Sequence, residues 1–170
     1  MKKHILTLFL LVTLSQIQAQ TFLDSTEVKI NNNELGAHAG FTTGLGLSYR
    51  HWFNKVGLQF TTIPVKTDEA FFLSLGFTGM YSLKKTNTVR TYLYVGNHLI
   101  SNDEGTGKYQ TTGSYKEITT RTTRYNIGFG PGFAFGRTVT YNIQFGYGLY
   151  DITGKFNMLP TLEMGLYYKF

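Results

Sequence analysis

The side chains best suited to catalysis in this sequence lie close together in one short segment. His98, Ser101 and Asp103 provide an imidazole base, a hydroxyl nucleophile and a carboxylate, the groups that acyl-ester hydrolysis and transfer use. The residues that follow are rich in Ser and Thr, so this grouping arises easily without a catalytic role. We therefore predict that the chain is not an enzyme and has no catalytic residues.

Metal ligands are sparse. The sequence has no cysteine and four histidines. These histidines stand far apart in the sequence, at His4, His38, His51 and His98. They lack the spacing of a zinc site, and no close pair of carboxylates lies within the lumen row of a predicted strand. We predict no bound metal and no cofactor.

A glycine-rich run at residues 128–132 invites comparison with phosphate-binding loops. No helix is expected after it, and Pro131 lacks the amide that such a loop would need as a donor. Small side chains that line a narrow interior explain the run better. Pro131 is unusual in a central strand and predicts a local bulge.

Three polar side chains are candidates for a buried cluster: Arg50, Glu163 and His38. Each lies on the polar row of a segment whose other row is apolar. A buried charge needs a partner, so Arg50 and Glu163 are expected either to pair across the interior or to be solvated there separately. Both arrangements are open at this point.

The first residues predict export. Lys2 and Lys3 precede an apolar run from residue 5 to 14, and the small residue Ala19 follows a short polar stretch. This is the pattern of a secretory signal peptide over residues 1–19. The run is shorter than the roughly 20 residues that a membrane-spanning helix needs. Residues 20–33 are predicted to be a flexible periplasmic segment that leads into a domain at 34–170.

The domain is predicted to consist of strands, because its apolar residues recur at every second position. Val139, Tyr141 and Ile143 form one row near the end of the chain, and Thr140 and Asn142 belong to the other. The eight expected strands cover about residues 35–42, 44–53, 56–63, 70–83, 89–100, 125–136, 138–150 and 159–170.

A tight turn is expected near Thr42, Thr43 and Gly44. The alternative is a kink inside one strand from 35 to 53. That strand would be much longer than the about 9–11 residues with which a tilted strand crosses a bilayer.

After the tight first connection, the connections alternate in length. Those at 54–55, 84–88 and 136–137 are short, whereas 64–69, 101–124 and 151–158 are longer. Short periplasmic turns and longer external loops are typical of outer-membrane barrels. The longest predicted external loop, 101–124, carries a basic patch of Lys116, Arg121 and Arg124 that could meet phosphate groups.

The apolar row is predicted to face lipid. In a soluble sandwich or cup the other row would meet water, yet that row is rich in glycine and poor in Lys and Glu. Inside a narrow membrane barrel small residues fit. The charges assigned to strands, Arg50, Arg90, Glu163 and Lys169, all fall on this second row.

The last strand carries the most specific pattern. It alternates apolar residues up to a terminal aromatic, at Leu162, Met164, Leu166, Tyr168 and Phe170. This resembles the C-terminal targeting signal of outer-membrane barrels. The domain as a whole resembles the small bacterial outer membrane protein β-barrel family, which has porin-like and OmpX-like members.

The resemblance implies an all-β fold, an eight-stranded antiparallel up-and-down transmembrane β-barrel integral to the cell outer membrane. It implies contact with barrel-assembly machinery during insertion. The formal net charge of +6 suggests outer-membrane lipid and lipopolysaccharide as partners, and an exported protein meets no nucleic acid. The oligomeric state stays open.

Three functions remain possible at this stage. The first is a non-enzymatic barrel with a side-chain-filled lumen and a structural or surface-interaction role through its external loops. The alternatives are a narrow porin-like conduit and an outer-leaflet lipid A-modifying enzyme. Known lipid A deacylases carry a His-x-Ser spacing that this chain lacks.

Overall fold

The computed structural model describes residues 32–67, 70–111 and 114–170. The predicted signal peptide and residues 20–31 of the predicted lead-in segment lie outside these ranges. The strands are β1 Asn33–Gly40, β2 Gly44–Phe53, β3 Val56–Lys66, β4 Phe71–Lys85, β5 Val89–Thr111, β6 Ser114–Phe135, β7 Val139–Tyr150 and β8 Asn157–Lys169.

The eight strands form a closed barrel in chain order, and every neighbouring pair is antiparallel. The barrel closes between β1 and β8, where Glu34 lies opposite Lys169 and Ala39 lies opposite Met164. The predicted all-β, eight-stranded up-and-down architecture is therefore confirmed. The expected turn after β1 is also confirmed, because Gly40 pairs with Gly44 around residues 41–43.

One end of the barrel carries three short turns, at residues 54–55, 86–88 and 136–138, and is called here the short-turn end. Asn54 has φ 58° and Gly136 has φ 116°, the left-handed backbone that these residue types tolerate in tight turns. The opposite end, called the loop end, carries the connection at 41–43 and the connections that follow β3, β5 and β7.

The prediction of a long loop at 101–124 is wrong, because β5 and β6 continue through it as a hairpin. Within the described residues, the β4 ladder reaches Asn102 and the β7 ladder reaches Ile127. Beyond these residues β5 and β6 pair with each other. The Thr-rich segment has high strand propensity but no apolar row, so its alternation was invisible to a search for amphipathic strands.

Two smaller expectations also change. Pro131 does not produce a bulge, because the β6–β7 register is the same at Phe129 and at Gly132 and only the pairing at residues 130–131 is missing. The register shifts lie elsewhere, in β4 between Ser82 and Lys84 and in β5 between Glu104 and Thr106. Strand β1 begins at Asn33, about two residues before the predicted start of the first strand.

Polarity is reversed with respect to a soluble protein. Leu47 and Val95 on the outer surface are 72% and 61% exposed, whereas Arg50 and Glu163 are 0% exposed inside. The interior of the barrel, called here the lumen, is filled largely by polar and aromatic side chains. An outer surface of this composition matches hydrocarbon and not water.

Exposed aromatic side chains mark the short-turn end. They are Tyr49, Phe53, Tyr81, Phe135, Tyr141, Tyr168 and Phe170. Such rings prefer the boundary between hydrocarbon and water. None of the described residues belongs to a helix that is long and apolar enough to cross a membrane.

The exposed row gives a direct test of lipid contact. Val95 lies six residues into β5, about 15 Å from the short-turn end at the rise and tilt of barrel strands. In lipid vesicles, Val95→Arg is expected to lower the free energy of unfolding by about 2–4 kcal/mol, because a cation at the bilayer midplane is poorly solvated. Urea titration followed by fluorescence measures this change.

Val139→Arg is the matched control, since Val139 is also exposed but lies at the first position of β7. Near the interface the same substitution costs about 0–1 kcal/mol. Equal effects of the two substitutions would contradict a lipid-facing outer row.

Candidate functional site

Arg50 is the centre of a hydrogen-bonded group in the half of the lumen nearer the short-turn end. Its Nη1 lies 3.2 Å from Glu34 Oε2, and its Nε and Nη2 donate to Gln59 Oε1 at 3.1 and 2.6 Å. The guanidinium stacks 4.1 Å from the ring centre of Tyr167. A buried cation is costly unless it is paired and hydrogen-bonded, and this group satisfies both conditions.

Aromatic side chains fill the lumen beside this group. Trp52 and Tyr92 meet edge to face with ring centres 5.7 Å apart. The hydroxyl of Tyr92 donates to Asn142 Oδ1 and accepts from Gln144 Nε2 at 3.1 Å. All four residues are essentially inaccessible to solvent, so this cross-section of the barrel is occupied by side chains from β2, β5 and β7.

The connection between β1 and β2 folds into the lumen at the loop end. Thr42 and Thr43 in this connection are both 0% exposed, although a turn at the edge of a barrel would normally meet water. The backbone amide of Thr42 donates to Glu163 Oε1 at 2.8 Å, and the hydroxyls of Thr42 and Thr43 also donate to this carboxylate. We call residues 41–43 the inward turn.

The carbonyl of Phe41 holds the other side of the inward turn. It accepts hydrogen bonds from His98 Nδ1 and from Asn126 Nδ2, both at 2.9 Å. Because a carbonyl can only accept, His98 Nδ1 carries a proton, and in the neutral imidazole His98 Nε2 accepts from Ser74 Oγ at 2.7 Å. Ser74 Oγ also accepts from the amide of Leu45 at 2.9 Å.

Glycines on four strands make room for the inward turn. A Cβ built on Gly128 would overlap Thr42 Oγ1, and one built on Gly76 would overlap the carbonyl oxygen of Thr43. The glycines that approach the inward turn from the wall are Gly76, Gly96, Gly128 and Gly148. The glycine-rich row of the sequence is therefore explained in part by a backbone segment that lies inside the barrel.

His38 links the two polar groups of the lumen. Its Nε2 is 2.7 Å from Thr43 Oγ1 and 3.8 Å from Glu163 Oε2. Its Nδ1 is 3.1 Å from the hydroxyl of Tyr167, the ring on which Arg50 stacks. Hydrogen bonds and ring contacts thus run without a break from Glu163 to Arg50.

The three residues of the predicted lumen cluster all lie inside the barrel, and of the two arrangements left open for Arg50 and Glu163 the structure has neither, since each charge has protein partners of its own. Arg50 pairs with Glu34, and Glu163 binds the inward turn. Glu34 was missed because the first expected strand began one residue after it. The pairing depends on register, since Glu34 lies opposite Arg50 in the β1–β2 ladder.

The candidate catalytic groups do not converge. His98 points into the lumen and is 2% exposed. Ser101 bonds Thr123 at 3.1 Å, and Asp103 pairs with Arg121 at 3.0 Å. Ser74 and His98 form a hydroxyl–imidazole pair, yet both are buried and Ser74 Oγ is already used by Leu45, so no substrate could approach them.

The predicted basic patch lies on β6, not on a loop. Arg121 and Arg124 are three positions apart, so they project from opposite faces of the strand. Arg121 lies over the ring of Phe71 at 4.0 Å and has a side chain that is 57% exposed. Lys116 belongs to β6, and its side chain lies outside the described part of the structure.

The predicted C-terminal targeting residues occupy the outer surface of β8 and the residue after it. All five are exposed, from Leu166 at 46% to Leu162 at 61%. Among the described residues, no group of three or more His, Cys, Asp or Glu side chains could hold a metal ion.

Solved structures similar to this chain include two bacterial β-barrels. The N-terminal β-barrel domain of Pseudomonas aeruginosa OprF matches with a TM-score of 0.48 and 14% identity, over 81% of this chain and 98% of that domain. Neisserial surface protein A, NspA, matches with a TM-score of 0.43 and 15% identity, over 81% of this chain and 93% of NspA. No family model and no curated protein matches the chain.

The contact between glycines and the inward turn predicts a strong effect of one methyl group. Gly128→Ala is expected to lower the free energy of unfolding by about 1–3 kcal/mol, because the added Cβ must displace Thr42 or the strand. Urea unfolding in lipid vesicles measures the loss.

Gly79→Ala is the matched control on β4. A Cβ at Gly79 would meet only the carbonyl oxygen of Val95, at an ordinary 3.9 Å, so a change within about 0.5 kcal/mol is expected. A loss at Gly128 no larger than at Gly79 would show that the inward turn does not occupy the lumen.

Proposed function

We propose that this chain is a non-enzymatic integral protein of the bacterial outer membrane, whose closed lumen makes the barrel a rigid frame for its external hairpin. One observation carries the proposal: the lumen is filled from the short-turn end to the inward turn. A barrel that served as a conduit would need a continuous water path, whereas here Arg50, Trp52 and Glu163 are each at most 1% exposed.

The outer-membrane location has three supports. The expected signal peptide directs the chain out of the cytoplasm. The exposed apolar rows suit a bilayer, and the aromatic residues at the short-turn end suit its interface. The C-terminal strand resembles the targeting signal that barrel-assembly machinery reads. With both ends of the domain at the short-turn end, that end faces the periplasm and the β5–β6 hairpin faces outward.

A role without catalysis follows from the arrangement of reactive groups. The hydroxyl–imidazole pairs of Ser74 with His98 and of Thr43 with His38 hold the inward turn and are sealed inside. The groups near the loop end that could reach an acyl ester, Ser101 and Asp103, are bonded to Thr123 and Arg121.

The expected partner of the external hairpin is lipopolysaccharide. Arg121 and Arg124 are both exposed where β6 rises beyond the β7 ladder. Guanidinium groups bind phosphate oxygens through two parallel hydrogen bonds. Because Arg121 and Arg124 project from opposite faces of β6, they can bind two neighbouring headgroups and do not form a single patch.

Conductance across a planar lipid bilayer tests the closed lumen. The wild-type protein is expected to give no steady open channel. Glu163→Ala removes the acceptor that holds Thr42 and Thr43, so the inward turn can leave the lumen and discrete openings are expected.

Gln59→Ala is the matched control, because it removes a fully buried side chain of similar size that does not contact the inward turn. This variant is expected to stay closed. Steady conductance of the wild-type protein would favour the porin-like alternative and overturn the proposal.

Lipopolysaccharide binding has a separate test. Added lipopolysaccharide is expected to raise the unfolding temperature of the purified protein in detergent, and the double variant Arg121→Ser, Arg124→Ser is expected to lose most of that rise. Lys55→Ser with Arg137→Ser removes the same charge at the short-turn end and serves as the control. An unchanged rise in the Arg121 and Arg124 variant would rule out this role of the hairpin.

A further inference from the structure

Cations gather around the lumen at the short-turn end. The irregularity in β4 places Lys85 opposite Arg90 in the β4–β5 ladder, on the row that faces the lumen. Lys169 lies opposite Glu34 where the barrel closes. We call Lys85, Arg90 and Lys169 the cationic mouth. None of the three has a part in the polar group around the inward turn.

The cationic mouth has too little negative charge to balance it. All three side chains interact electrostatically with Glu34. Lys169 Nζ is 3.9 Å from Glu34 Oε1, and the other oxygen of this carboxylate is taken by Arg50 at 3.2 Å. Among the described side chains at this end of the barrel, Glu34 is the only carboxylate, and Arg50 shares it with the three cations of the mouth.

Arg90 offers a donor that is held in place. Its guanidinium lies 3.8 Å from the ring centre of Trp52, which is buried beneath it. Its Nη1 is buried, and the described residues supply no acceptor for it. Burial of an unsatisfied charged donor is unfavourable, and Arg90 as a whole is only partly buried, so an anion that approaches this guanidinium would gain a charge-assisted hydrogen bond.

We propose that the cationic mouth binds a phosphate group. The floor of the site is closed by Trp52 and Arg50, so only a compact anion can enter from the short-turn end. Two ammonium groups and one guanidinium match the several oxygens of a phosphate dianion. The shared chemistry is the phosphate itself, which comes either from a solute or from a lipid headgroup at the level of exposed Tyr81 and Tyr168.

The test measures binding of inorganic phosphate to the purified protein in octyl glucoside at low salt, by calorimetry and by phosphorus NMR. Saturable binding of one phosphate per chain is expected. Arg90→Gln is expected to weaken it about tenfold or more, the usual effect of losing one charge-assisted hydrogen bond.

Lys85→Gln is a second variant, because Lys85 is exposed and its replacement leaves the packing of Trp52 intact. It is expected to weaken binding as well. Lys66→Gln removes an exposed cation at the loop end and is the control, with no change expected. Absence of saturable binding would overturn the proposal, and so would an equal loss in Lys66→Gln.

The source of the phosphate is separated by nanodisc composition. If a lipid headgroup occupies the site, phosphatidylglycerol nanodiscs will weaken inorganic phosphate binding relative to phosphatidylcholine nanodiscs, and Arg90→Gln will remove the difference. Equal affinity in both lipids assigns the site to a soluble phosphate or phosphomonoester. Both results retain the phosphate site, and no binding in either lipid refutes it.

Discussion

A closed ladder of backbone hydrogen bonds is the constraint on which the rest of this structure depends. In hydrocarbon no water is present to form hydrogen bonds with an unpaired backbone amide or carbonyl. A membrane-spanning sheet must therefore close on itself so that no edge is left unpaired. Closure between β1 and β8 brings Glu34 level with Lys169 and sets the radius of the lumen. Everything inside must then fit a space that the number of strands has already determined.

Polar groups in this lumen are satisfied by one another. Glu163 accepts from four donors, including Thr161 at 3.2 Å, and Arg50 uses three nitrogens on Glu34 and Gln59. Networks of this kind are sensitive to the loss of any single member, because each remaining group is then buried without a partner. The polar interior therefore requires particular residues at particular positions, whereas an apolar core accepts many side chains of similar size.

The sequence predicts the outer surface of the barrel better than its interior. Alternation in residues 138–150 reports directly which side chains face outward, because a period of two is a local property of the chain. The pairing of Glu34 with Arg50 depends on the register of neighbouring strands, which alternation does not reveal. The β5–β6 hairpin within 101–124 was predicted as a loop because Thr is compatible with a strand and with a loop.

The inward turn shows the same limit. Thr42 and Thr43 carry hydroxyls that are as compatible with water as with a carboxylate, so their burial could not be read from their identity. The sequence did contain a sign of the inward turn, since glycines on β4, β5, β6 and β7 leave space for it at one level of the lumen. Recognising it required knowledge of which glycines share a level, and that again is a matter of register.

The position of Glu163 on the last strand has a consequence for assembly. The inward turn belongs to the first hairpin, yet the carboxylate that holds it arrives only when β8 meets β1. Sealing of the cylinder and capture of the turn are thus a single event. Until β8 pairs with β1, the inward turn has no carboxylate to hold it in the lumen. A chain that ended before β8 would therefore lack both the closing strand and the group that fixes the inward turn.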